Sequence, residues 1–405
     1  MIKSLKIKDF LSFSGQQTIQ LNPDINILLG INGSGKTSFI NAFRLLYEGV
    51  CGDGFENLFQ TEWGGYNEVV NANGGRKPTS IELEYVFDCK KLKQIVPKCP
   101  FKNDVCYSII IRPFGDTNYT LEEKLYAPNL KDPNRSFVFL DFKNNVGKLS
   151  VYHSSSSANI TTETFAGDTS GQELILRQIS DPRRYLPMHT IRTAISQMAL
   201  YESFDTTSHS EIRRPVRSTS ELKLHANGDN LISVLNNIKT NDLIYFKSIQ
   251  NQLKVINKGF EEFVFQNFGS QIYMYLQESN MRKAIGLRFI SDGTLHYILM
   301  LAILMNKKGG YFIGFDEPES RLHPDMIHSI ADLMKKSSKK AQILIATHSP
   351  LLLNDFDLEH ILVFEKDESN ATVVKRYHEE DFEDYIDTIL PGQLWLNGEL
   401  GGKRW

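Results

Sequence analysis

The sequence predicts an α/β protein, a mixed β-sheet organised around a phosphate-binding loop, and three observations carry that expectation. Gly30-Ile31-Asn32-Gly33-Ser34-Gly35-Lys36-Thr37-Ser38 satisfies G-x-x-x-x-G-K-[ST]. The short apolar run Ile25–Leu29 precedes it as a buried strand, and Phe39, Ile40, Phe43 and Leu46 follow it at helical spacing. Two later apolar strands, 311–315 and 341–346, end in Asp316-Glu317 and Thr347-His348.

The loop defines the chemistry. Its glycines let the backbone curl until several N–H groups face a phosphate, and the helix behind adds its positive N-terminal end. Asn32, Gly33, Ser34, Gly35, Lys36, Thr37 and Ser38 are the expected nucleotide contacts. Lys36 reaches the β- and γ-phosphates of ATP, and the Thr37 hydroxyl ligates Mg²⁺. The plain alternative is a glycine-rich turn that matches by chance; a strand before it and a helix after it argue against that.

Composition supports a large soluble domain with an insertion, or two domains. The chain has 405 residues, 41% hydrophobic and 23% charged. A net charge of -3 gives no global pull on nucleic acid, although a local basic patch could still bind DNA. Cys51, Cys89, Cys99 and Cys106 include no C-x-x-C pair, which argues against a zinc site or a disulfide framework and for a reduced, cytoplasmic setting. No apolar run approaches a membrane span, and the N-terminus opens into a strand pattern rather than a signal peptide.

In chain order, Ile2–Phe10 alternates apolar and polar, and 13–21 reads as its hairpin partner with Gly15 at the bend. Residues 48–80, rich in glycine and asparagine, read as long loops; 80–88 and 106–112 read as strands. From about 90 to 225 the periodicity is poor and Ser154 to Ser157 is a four-serine run, so this stretch reads as an insertion. Residues 177–223 hold eight Lys/Arg against five Asp/Glu, with clusters at Arg183-Arg184 and at Arg213-Arg214 with Arg217. These are either a solvated face or a contact surface for nucleic acid or protein. Leu231, Leu235, Ile238, Ile249, Leu253, Ile256, Phe260 and Phe263 return to helical spacing; 271–276 and 285–289 are strand-like.

Three further stretches make the reading specific. Asp316 ends a buried strand where it can hold Mg²⁺, and Glu317 follows where it can polarise the attacking water. His348 leaves the next buried strand, where a ring N–H can sense the γ-phosphate. Ser291-Asp292-Gly293 stands at the start of an apolar helix, an anion-binding arrangement that is also an ordinary helix cap.

In that order these motifs resemble the ATP-binding-cassette (ABC) type ATPases, more narrowly the branch with RecF, the SMC proteins and the overcoming-lysogenization-defect (OLD) ATPases. The likeness covers roughly 1–50 and 285–365. Glu317-Pro318-Glu319-Ser320-Arg321-Leu322-His323-Pro324 looks like the E-P-E-x-x-L-H-P element of OLD-like and RecF-like ATPases. AAA family ATP-binding proteins of bacterial anti-phage defence, such as PtuA of Septu and AriA of PARIS, are similar. The resemblance implies an ABC-type ATPase head formed by 1–90 and 285–405, with 91–284 inserted as a helical and irregular lobe. It implies ATP hydrolysis with Mg²⁺, and a homodimer or higher homo-oligomer in which Ser291 and Gly293 complete the partner's site.

Departures narrow the function. Asp292 and Thr294 stand where transporters have glycine and glutamine, so a transporter is not expected, and no glutamine-loop residue stands out. OLD nucleases continue into a Toprim domain. The stretch after His348 is too short for about 100 residues of domain, and Glu365 and Asp367 read as a strand and polar turn, so no nuclease activity is expected from this chain. The expected role is a sensor or switch controlling a separate effector. Alternatives are a RecF-like ATPase clamping DNA, and a slow-turnover scaffold storing a partner. Trp395, Leu396 and Trp405 either pack on the head or anchor that partner.

Overall fold

Strict alternation at the N-terminus becomes β1 (Ile2–Phe10), which turns at Leu11 and Ser12 into β2 (Phe13–Gln20) in the computed structural model. The structure describes every residue except 76–77, 117, 130–135, 153–159, 167–171, 180, 383–389 and 402–405. The bend expected at Gly15 lies earlier. Asp9 and Leu11 take left-handed φ of 52° and 49°, and Gly15 sits within β2, donating its N–H to Asp9 Oδ1 at 2.7 Å.

β3 (Ile25–Leu29) is buried throughout and feeds α1 (Lys36–Val50). The stretch 48–80 is less loop-like than its glycines suggest, holding a π-helical turn at Asn57–Glu62 and α2 (Tyr66–Val69). Phe55 and Phe59, four residues apart, stack at 5.3 Å, and Phe59 meets Tyr119 edge-on at 4.9 Å; burying these rings favours a helical turn.

β4 (Ile81–Phe87) and α3 (Cys89–Ile95) follow. The stretch of poor periodicity then proves strand-rich, with β5 (Val105–Phe114), β6 (Asn118–Ala127), β7 (Phe137–Lys143), β8 (Val146–Tyr152) and β9 (Ile160–Ala166). Two features hide them. The inward row of β6 is Tyr119, Leu121, Glu123 and Leu125, so a carboxylate interrupts its apolar alternation. The β7–β8 hairpin is made by Asn144-Asn145, both at positive φ (49° and 66°), the two-residue turn whose twist matches the strands. The serine run at 154–157 lies outside the described residues. Strand order in this antiparallel sheet is β2-β1-β4-β5-β6-β7-β8-β9. After it come α4 (Ile175–Gln178) and α5 (Leu186–Ser196).

Next are β10 (Met198–Tyr201), β11 (Val216–Arg217), α6 (Leu231–Asn241), α7 (Leu243–Ile256), β12 (Phe260–Phe268), β13 (Gln271–Glu278) and β14 (Ile285–Gly286). The helical spacing of 228–268 ends at Ile256; Phe260 and Phe263 belong to β12. A register shift between Phe260 and Glu262 turns both rings inward, so a β-bulge imitates a helical i, i+3 repeat.

α8 (Asp292–Leu304) is buried from Leu295 to Leu304, apolar all round as a core helix must be. β15 (Phe312–Asp316), α9 (Pro324–Ser338), β16 (Gln342–Thr347), α10 (Pro350–Leu353), β17 (Ile361–Lys366), β18 (Thr372–Arg376) and α11 (Pro391–Asn397) complete the chain. Glu365 and Asp367 do lie in a strand and its polar turn, with Glu365 2.7 Å from Lys375.

Two compact units result. The first comprises Met1–Met198 and Leu362–Arg376, the second Ala199–Ile361 and Tyr377–Gly401. The first holds the antiparallel sheet and the run β3-β17-β18; the second holds the run β10-β15-β16 and the small sheet β11-β13-β12 with β14 on β13. The whole is mixed α/β, as expected. Among the described residues no helix is long and apolar enough to cross a membrane.

α11 resolves one open alternative. Leu394, Trp395 and Leu400 are buried (2%, 4% and 0% exposed), while Leu396 remains 53% exposed. Gly392 abuts the Pro350 carbonyl and donates its N–H to Asn354 Oδ1 at 2.8 Å. Trp395 therefore packs within the second unit; Trp405 lies outside the described residues. Trp395→Ala should cost about 3–5 kcal/mol in urea unfolding, and truncation after Pro391 should lose solubility. An unchanged unfolding midpoint for Trp395→Ala would contradict this.

Glu123 gives a second test. Tyr107 Oη donates to it at 2.7 Å and Leu176 N at 3.3 Å, and Ile175 N donates as well. Burial raises its carboxyl to about 7 against the pull of those donors. Between the ordinary glutamate value of 4.5 and about 7 the native state retains a proton that the unfolded chain has lost. Stability should thus fall with rising pH in that window, by up to about 1.4 kcal/mol per pH unit. Urea unfolding at pH 5, 6 and 7 should show a shallower decline for Glu123→Gln than for wild type.

Candidate functional site

The phosphate loop lies in the first unit. Gly33 (φ 80°) and Gly35 (φ 109°) occupy the left-handed region, and Gly35 caps α1. A Cβ on Gly35 would collide with the Thr372 hydroxyl and lie 2.6 Å from Ser12 Oγ. Lys36 is 6% exposed and its ammonium donates to the loop's own carbonyls, Gly30 O at 2.6 Å and Ile31 O at 3.1 Å. Ser34 is buried, and its Oγ is one of few buried side-chain oxygens with no hydrogen-bond partner among the described residues. Asn32, Gly33 and Thr37 are exposed, and Ser38 is half-buried. A curled backbone, a bent-back lysine and an orphan hydroxyl fit an anionic phosphate group.

Sequence reasoning missed what holds this loop. The Thr372 hydroxyl, in β18, lies 2.8 Å from both the Ser34 carbonyl and Ser12 Oγ, and its N–H donates to Ser12 O at 2.8 Å. Gln17 donates to the Thr372 carbonyl. A threonine in a plain strand carries no local signal of that role.

The acidic strand and the histidine lie in the second unit. β15 and β16 run parallel, with Asp316 opposite Ala346, so their C-terminal ends emerge side by side. Asp316 is half-buried. Glu317 follows at φ 50°, unusual for a non-glycine and a mark of backbone held under constraint. Its N–H donates to Ala346 O at 2.9 Å, and its Oε1 lies 3.0 Å from His348 Nδ1. Both side chains reach solvent, 37% and 52% exposed.

Behind them sits Glu319. The Thr347 hydroxyl donates to Glu319 Oε1 and accepts from Ser349 N at 3.0 Å, which fixes the backbone on either side of His348. Burial raises the Glu319 carboxyl above the usual range, and its Oε2 has no partner among the described residues. His296 Nε2 meets Pro318 O at 2.9 Å, and burial depresses its pKa, so a neutral ring anchors this loop. His323 caps α9.

Ser291 caps α8, its Oγ accepting from Thr294 N at 3.2 Å and lying 2.7 Å from Thr294 Oγ1. Ser291 is exposed and Gly293 is half-buried. The basic clusters divide between the two units. Arg183 and Arg184 belong to the first unit and Arg213, Arg214 and Arg217 to the second. Arg184 pairs with Glu163 and Arg214 with Glu211 at the surface, whereas Arg213 is buried against the loop leading to Ser291.

Solved structures that share this fold include two SMC heads. The crystal structure of the SMC head bound to the C-winged helix domain of ScpA is 14% identical, with a TM-score of 0.56, over 95% of this chain and 99% of that one. The Smc head domain with an extended coiled coil, bound to the C-terminal domain of ScpA derived from Pyrococcus furiosus, is 12% identical, with a TM-score of 0.54, over 95% and 98%. The phosphate loop together with a matching AAA-domain model defines a P-loop ATPase domain. The chain belongs to the family described as "AAA domain, putative AbiEii toxin, Type IV TA system", whose model matches residues 107–354, more than half of the chain. The matched span includes Ser291, Asp316, Glu317 and His348 and begins after the phosphate loop. A 99-residue stretch is 32% identical to the uncharacterized protein MJECL43 of Methanocaldococcus jannaschii, spanning 24% of either chain.

Thr372→Val should weaken ATP binding by about five- to 160-fold, since loss of one buried hydrogen bond costs about 1–3 kcal/mol. Titration with a fluorescent ATP analogue checks this, and unchanged affinity would remove Thr372 from the site.

Proposed function

We propose that the chain binds ATP with Mg²⁺ and hydrolyses it between two heads, as a switch controlling a separate partner protein in anti-phage defence. The observation that carries the hydrolytic reading is the Glu317–His348 pair, 3.0 Å apart at the ends of adjoining strands. Glu317 accepts the proton of the attacking water, and His348 orients that carboxylate and contacts the γ-phosphate. Lys36 leaves the Gly30 and Ile31 carbonyls to neutralise the β- and γ-phosphates, and the Ser34 hydroxyl gains the partner it lacks. The Thr37 hydroxyl, and the Asp316 carboxylate where the acidic strand ends, would each serve as a ligand for Mg²⁺, which would neutralise phosphate charge. Ser291 and Gly293 of one copy complete the site of the other.

The switch role rests on the family description and on the fold. A putative toxin of a toxin–antitoxin system works beside a second protein, and the SMC heads of similar fold are each bound to a domain of ScpA. The exposed Leu396, beside the packed Trp395, suits such docking.

Lys36→Ala should abolish nucleotide binding. Glu317→Gln should retain binding and lose hydrolysis by about 10²-fold or more, because an amide accepts no proton. With ATP and Mg²⁺ it should accumulate dimers in mass photometry, and Ser291→Arg should prevent them. A Glu317→Gln protein hydrolysing ATP at the wild-type rate would refute the assignment of the base. Retention of DNA in a gel shift only with ATP would favour a DNA-clamping ATPase instead.

A further inference from the structure

Arg213 lies far in sequence from every motif, yet its guanidinium is among the most heavily used side chains in the second unit. It is 3% exposed. Nη1 donates to Leu287 O at 2.7 Å and Ile290 O at 2.9 Å, and Nη2 donates to Asp292 Oδ1 at 2.7 Å and Thr206 O at 2.8 Å. Nε lies 3.0 Å from both the Thr206 and Thr207 carbonyls. Three of these acceptors bracket Ser291 in sequence: Leu287, Ile290 and Asp292. A buried guanidinium is costly to desolvate and is kept where its planar fork fixes several acceptors at once.

The contact continues to the acidic loop. Thr206 is fully buried, its carbonyl bonded to Arg213 and its hydroxyl accepting from Arg321 Nη1 at 3.0 Å. Arg321 has φ 66° and lies four residues after Glu317; a Cβ on Gly293 would stand 2.9 Å from the Arg321 carbonyl. One bonded path, Asp292–Arg213–Thr206–Arg321, therefore joins the segment carrying Ser291 to the segment carrying Glu317. Loosening the fork weakens that tie, which the His296–Pro318 bond farther along α8 supplements.

We infer that Arg213 is a positioning residue for hydrolysis. It holds the Ser291–Gly293 segment in the shape that completes the partner's site and ties that shape to the Glu317 loop of its own copy. This rests on the composite site proposed above, and the test separates the two. Three variants are compared with wild type: Arg213→Lys, Ser291→Ala and the double variant. Arg213→Lys should lower kcat by about ten- to a hundred-fold, the penalty of misplacing groups by an ångström or so. Binding of a fluorescent ATP analogue should stay within about two-fold, because the hydrogen-bond partners of Arg213 are Thr206, Thr207, Leu287, Ile290 and Asp292 rather than residues of the phosphate loop.

The discriminating readout is the double variant. If Arg213 acts through the Ser291 segment, the double variant is no slower than Ser291→Ala alone. A merely destabilising lysine would multiply the two losses, and that result overturns the inference, as does Arg213→Lys at the wild-type rate. Unimpaired Ser291→Ala would reject the composite site, and the positioning role with it. Should Arg213→Lys not fold, Asp292→Asn serves instead: Asp292 is 48% exposed, and loss of its charge should slow turnover about three- to ten-fold. Asp292→Asn at full rate, or losses that multiply with Ser291→Ala, would overturn the inference equally.

Discussion

The phosphate loop keeps its shape because a hydroxyl from Thr372 reaches both the Ser34 carbonyl and Ser12. A loop of glycines in left-handed conformations has no preference of its own for one curl over another. The shape must be imposed by neighbours, and here they are β18 and the turn between β1 and β2. The absence of a Cβ at Gly35 lets Thr372 in, and Phe364 beside Phe13 and Phe39, with centroids 6.5 and 5.6 Å apart, seats the same returning segment against α1.

In the second unit the equivalent constraint is parallel pairing. Because Asp316 stands opposite Ala346, the two turns that follow emerge together, and short contacts take over. Glu317 N to Ala346 O, Glu319 to Thr347 and Glu317 to His348 fasten one turn to the other. The positive φ of Glu317 is tolerated because these contacts hold both flanks. Strain of about 1–3 kcal/mol at such a position is the usual cost of aiming a side chain where strand geometry would not send it.

Most of what bears the chemistry was legible. The phosphate loop, its strand and its helix lie within 26 consecutive residues (Ile25 to Val50), so local pattern suffices. The acidic strand and the histidine strand are each a continuous buried run with a polar end. Less legible was anything whose meaning depends on a distant partner. Thr372 looks like any strand threonine. Arg213 looks like surface charge, because the acceptors that tie it to the Ser291 segment lie 74–79 residues away. β6 was concealed by Glu123 in its inward row, and β12 by a bulge that placed Phe260 and Phe263 at helical spacing. In both strands one local exception erased a period-two signal that only pairing restores.

The returning segment also sets an order of assembly. The bonds from Thr372 to Ser12 and Ser34 span 360 and 338 residues. Contacts between residues so far apart are made late, since loop closure must precede any gain from them. On the ribosome Ser34 emerges 338 residues ahead of Thr372, so the clamp does not exist until residue 372 has left the exit tunnel. Until then the nascent chain carries the loop without this clamp. The bonds that fix the loop therefore form only after residues 199–361 of the second unit have been translated.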